Sequence, residues 1–149
     1  MQTVLVPVTS HDRWTRAVAD VVADVEDEDE TRAAVMYRFS EDELESTAAH
    51  LDTTAKSADI DELAARKSCV NEAIERLEAA GIECTTHGVE TTDTDGEATL
   101  SAITDVDADR VYMYSRKRTP AGKAIFGSSL QHVLLNAPVP VVVVPPTVA

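Results

Sequence analysis

Two unbroken apolar runs constrain this chain more than any other feature. They are Thr3-Val4-Leu5-Val6-Pro7-Val8 near the start and Val141-Val142-Val143-Val144 near the end. A strand with one wet face alternates apolar and polar residues; a run without alternation reads as a strand covered on both faces. Covering both faces takes helices above and below the sheet, which implies parallel strands joined by crossovers.

The intervening sequence supplies both. Trp14, Ala17, Val18, Val21, Val22 and Val25 recur at helical spacing, so a helix is expected from His11 to Val25, with Thr9 and Ser10 as cap candidates. In that stripe Trp14 reads as a core or staple residue, and His11 as a solvent-facing residue of the first turn. Ala33 to Tyr37 is a second strand. Arg38 to Ala58 is a polar connection with a short helix at Glu41 to His50 and no evident chemistry. Ile60, Leu63, Lys67, Val70, Ile74 and Leu77 predict one long amphipathic helix ending near Ala80, with the Lys67 head snorkelling out and Gly81 as its C-terminal cap. Ile82 to Val89 is the third strand, Gly96-Glu97-Ala98 opens a helix carrying Leu100 and Ile103, and Val111 to Tyr114 is the fourth strand. Leu130 to Asn136 is the last helix, before the valine run. The expected fold is therefore α/β: one domain over residues 1–149, a doubly wound five-stranded parallel sheet of order 3-2-1-4-5, helices on both faces. In such a sheet the ligand crevice lies at the carboxyl ends of the strands where the order reverses, here beside Pro7, Val8, Thr9 and Ser10 and beside Met113, Tyr114, Ser115 and Arg116.

Charge singles out the same end of the chain. All 27 acids lie at or before Asp109, against eight bases, a formal charge of −19; the five later bases, Arg110, Arg116, Lys117, Arg118 and Lys123, make the remainder +5. A basic, glycine-punctuated segment running through Gly122 to Gly127-Ser128-Ser129 at a helix start favours an anion. The net charge of −14 argues against nucleic acid as a partner, and suits a salt-rich cytoplasm, where screening removes self-repulsion. No apolar run approaches the ~18 residues of a membrane span. The start of the chain has no basic region ahead of its apolar run, so a cytoplasmic location is expected. Cys69 and Cys84 read as small hydrophobes, not a disulfide, and neither they nor the four scattered histidines form a metal signature.

The segments VLVPVTS, DGEATLSAI, ADRVYMYSRKR and GKAIFGSSLQHVLLNAPVPVVVV give the chain a resemblance to the universal stress protein family over nearly its whole length. The family's nucleotide-binding pattern, G-x2-G-x9-G-S/T, is present here in its final half as Gly127-Ser128; Tyr114 and Lys117 stand where the first two glycines belong, and Thr9 stands where an aspartate follows the first strand. The resemblance implies a dimeric stress-response binding module with a phosphate or nucleotide site between strands one and four. Its residues would be Pro7, Val8, Thr9, Met113, Tyr114, Arg116, Lys117, Arg118, Gly122, Lys123, Gly127, Ser128 and Ser129. The ligand would be ATP or AMP, or simple phosphate or sulfate. The family's last strand pairs between subunits, which implies a homodimer through Val141, Val142, Val143 and Val144. Two alternatives stand beside this: an interaction protein whose pocket Tyr114 closes, and a weak ATP hydrolase. No catalytic constellation is expected; His132 lies near Ser128 and Ser129, but no acidic orienter follows it in sequence, and it reads as a surface or dimer-facing residue.

Overall fold

A computed structural model describes residues 1–50, 59–90, 96–115, 117–118, 124–125 and 127–145, the side chains of 117, 118, 124 and 125 excepted. In chain order the elements are β1 (Gln2–Val8), α1 (Asp12–Val25), β2 (Thr31–Phe39), α2 (Glu41–His50), α3 (Ile60–Ala65), α4 (Ser68–Ala79), β3 (Glu83–Glu90), α5 (Glu97–Asp105), β4 (Arg110–Tyr114), β5 (Lys117–Arg118), β6 (Ala124–Ile125), α6 (Ser128–Asn136) and β7 (Val141–Val144). The main sheet is ordered β3-β2-β1-β4-β7, with every neighbouring pair parallel. This is the expected 3-2-1-4-5 arrangement. A small antiparallel pair, β5 with β6, was not anticipated.

Alternation along the strands sorts the core into two layers. Val4, Val6, Val8, Val35, Tyr37 and Tyr112 face α1, α2, α3 and α4; Leu5, Ala34, Met36 and Val111 face α5 and α6. The unbroken run of β1 is thereby explained, since both sides of that central strand are covered.

The single helix expected from Ile60 to Ala80 is instead two, broken at Arg66 and Lys67. Lys67 is the N-cap residue of α4, and its ammonium does not reach for open solvent. It lies 3.1 Å from a Glu43 carboxylate oxygen and 5.5 Å from the ring centres of Tyr37 and Phe39. The break also lets α3 lie along the edge strand β3, where Asp61 accepts the Gly88 N–H at 2.8 Å. Gly81 ends α4 as expected, at φ +86° with the Ile82 N–H returning to the Leu77 carbonyl. Cys69 is buried and Cys84 half-buried, both free. Burial, aided at Cys84 by Glu78 and Glu83, pushes that thiol up to about 12, so it is no thiolate at neutral pH. Among the described residues no helix is long and apolar enough to cross a membrane.

Candidate functional site

The cleft begins where one ladder ends. β1 pairs with β2 along its whole length but with β4 only through Val4↔Arg110 and Leu5↔Val111. The Thr3 carbonyl accepts from Asp109 N–H, and the Thr3 N–H donates to the Asp109 side chain. Strand alternation then turns Leu5 and Pro7 toward the same neighbour. Pro7 has no N–H to continue that ladder, so β1 and β4 part beyond Leu5.

The gap holds about 740 Å³ of empty space, its open mouth included. From β1 and the turn after it come Pro7, Val8 and Thr9; from β4, Met113 and Tyr114. α1 adds Trp14, Thr15 and Val18, and β2 adds Met36 and Arg38. Gly96 and Thr99 at the start of α5 and Ser129 at the start of α6 complete the lining. Six expected site residues thus share one cleft: Pro7, Val8, Thr9, Met113, Tyr114 and Ser129. Gly127 and Ser128 are exposed just outside it, and Gly127 has an ordinary φ of −70° with no atom of the described residues within 4 Å of where a Cβ would stand. Arg116, Gly122 and Lys123 lie outside the described residues, as do the side chains of Lys117 and Arg118.

Thr9 does not cap α1; His11 is its N-cap residue. The Thr9 hydroxyl accepts the His11 N–H at 3.3 Å, and the buried Thr15 hydroxyl donates to the Thr9 carbonyl at 2.8 Å. These bonds fix the turn that carries Trp14 to the cleft. Trp14 is therefore lining, not core. The exposed His11 ring stacks on it at 3.8 Å and 7°, and Tyr114 lies 5.7 Å away at 28°.

The described lining also holds a cation that sequence reading did not nominate. Arg38 is the one charged residue of the described lining, and no carboxylate lines it. Arg110, counted with the basic segment, sits at the opposite end of β4 and bonds Glu26 and Gln2. In the sequence Arg38 opens a polar stretch. Its signal was β-periodic: two residues after the buried Met36, it shares that face if the strand continues through Phe39.

Gly96, at φ +90°, is packed so closely on α6 that a Cβ would come 2.8 Å from the Ser129 carbonyl oxygen. The starts of α5 and α6 thus meet at the cleft. His132 ties them together: Nε2 meets the Glu97 carboxylate and Nδ1 lies 3.3 Å from the Asn136 amide. The acidic partner that seemed missing comes from earlier in the chain, and it joins two helices. Among the described residues no cluster of His, Cys, Asp or Glu is arranged to hold a metal.

A family model described as the universal stress protein family matches residues 1–145. No curated protein matches. Among solved structures, the universal stress protein from Archaeoglobus fulgidus superposes with a TM-score of 0.68 at 20% identity, covering 97% of this chain and 98% of that one. A universal stress protein in complex with cAMP gives 0.65 at 20% identity, covering 98% of each chain. A family member from Arabidopsis thaliana with AMP bound gives 0.63 at 8% identity, covering 99% and 94%.

Proposed function

The chain belongs to the universal stress protein family, and from that premise we propose that it is a stress-response binding protein that takes an adenine nucleotide, phosphate end included, in the cleft between β1 and β4. One observation carries this reading. In a chain with 27 acidic residues, the described lining of the cleft holds no carboxylate and one guanidinium, Arg38. An acidic protein whose described cleft lining carries a guanidinium and no carboxylate presents that recess to an anion. The solved family members with cAMP and AMP support the choice of nucleotide. Binding, not turnover, is proposed, with the bound state read by partner proteins in a salt-rich cytoplasm. Arg116, Lys117, Arg118, Gly122, Lys123, Gly127 and Ser128 are proposed to gather the phosphate at the cleft mouth.

Calorimetric titration with AMP tests this. Arg38→Glu is expected to weaken AMP about tenfold, the order of a lost charge-assisted contact. An unchanged affinity would remove Arg38 from the site; absence of AMP binding by the unaltered protein would defeat the reading.

Dimerisation through β7 belongs to the same proposal. Val111 and Ser115 donate to the Pro140 and Val144 carbonyls, so alternation turns the N–H and C=O of Val141 and Val143 outward along an open edge. The other edge, β3, is engaged by Asp61 at Gly88. Val143→Pro removes an outward N–H while leaving the inner ladder intact. It is expected to convert a dimer to a monomer in light scattering; a dimer that persists would place the interface elsewhere.

A further inference from the structure

Three rings form a layered column beside the cleft. His11 stacks on Trp14 at 3.8 Å and 7°, and Tyr114 lies 5.7 Å from Trp14 at 28°. Trp14 and Tyr114 both line the cleft and both keep exposed surface. A tyrosine at this point either plugs the cleft or walls it. Its ring inclines only 28° to that of Trp14, so it lies back against the column, and open volume remains beside it. The same lining carries Met36 and Met113, whose thioethers adapt to flat ligands. Arg38 and the hydroxyls of Thr9, Thr99 and Ser129 supply the polar contacts. The ligand that matches this lining has a planar apolar half and an anionic half.

We propose that Trp14 and Tyr114 form an aromatic wall on which the base of a nucleotide packs, making these two side chains determinants of affinity for the base as distinct from the sugar phosphate. The inference rests on the cleft being the ligand site. Base–aromatic packing changes affinity by about tenfold or more when the ring is removed.

The chain has one tryptophan, so its emission reports on Trp14 alone. The full-length protein is titrated with AMP and, separately, with ribose 5-phosphate, by calorimetry and by emission. AMP is expected to change the emission, saturating at its calorimetric Kd. Ribose 5-phosphate is expected to bind at least tenfold more weakly and leave the emission unchanged. Trp14→Leu and Tyr114→Leu are each expected to weaken AMP about tenfold with little effect on ribose 5-phosphate; should one variant fail to fold, the other still decides. If AMP binds with no change in emission, or if Tyr114→Gly tightens AMP, the ring is a plug and the wall is overturned, while the nucleotide site stands. If AMP and ribose 5-phosphate bind equally, the base has no wall and only the anion reading survives. If neither binds, both readings fall.

Discussion

Glu26→Gln is expected to cost about 3 kcal/mol of stability, the lower end of what breaking a buried ion pair costs. For a domain of this size that lowers the melting temperature by about 6–12 °C. The Glu26 side chain is 6% exposed and Arg110, its partner, 24%. Arg110 donates to it through Nε at 3.0 Å and through Nη2, and the buried Tyr112 hydroxyl donates as well. The carboxylate is the hub joining the end of α1 to β4. Glutamine keeps the volume but removes the charge, and leaves the guanidinium and phenol competing for one amide oxygen. The pH dependence gives the sign. Burial raises the Glu26 carboxyl, but the bonds from Arg110 and Tyr112 outweigh it and hold the group below its ordinary 4.5. A depressed carboxyl stabilises the fold above its unfolded pKa and loses that contribution as pH falls through the folded one. The gap between wild type and Glu26→Gln, read as denaturant midpoints, is therefore constant near neutrality and narrows below about pH 4.5. A gap independent of pH would mean that shape, not charge, makes the contact.

The same cluster shows what a sequence can and cannot convey. The sheet order was readable because unbroken apolar runs have few structural solutions, and the crevice because it follows from that order. Side-chain partnerships across long separations were not. Arg110 looked like part of a basic segment; only the strand direction shows that it lies at the far end of β4, about 13 Å from Tyr114 at some 3.3 Å per residue. Trp14 satisfies the helical stripe, and periodicity alone does not separate a core position from the rim of the stripe, where a side chain reaches a cleft. Lys67 also fitted its stripe. Its contacts with Glu43 and two rings, which hold the break between α3 and α4, come from elements remote in the chain.

Glycine gives the sharpest contrast, because the motif points to Gly127 and the packing points to Gly96. At Gly127 the backbone is ordinary, and among the described residues an added Cβ meets nothing within 4 Å. Gly127→Ala should stay within about 0.5 kcal/mol of the parent stability. At Gly96 two costs coincide. Its φ of +90° is unfavourable for any side chain, and a Cβ would press to 2.8 Å from the Ser129 carbonyl oxygen and 3.0 Å from a Val133 methyl. The backbone term alone is about 1–2 kcal/mol, and the carbonyl contact forces α5 away from α6. Gly96→Ala is expected to lose about 3 kcal/mol in total, comparable to overpacking a core. The loss should reach function as well. Gly96, Thr99 and Ser129 line the cleft from two helix starts that touch only because residue 96 has no side chain. Separating them displaces the hydroxyls, so AMP affinity should fall at least tenfold in Gly96→Ala under conditions where it remains folded. If calorimetry finds Gly96→Ala and Gly127→Ala equally harmless to binding and to melting, the close approach of α5 and α6 does not shape this site.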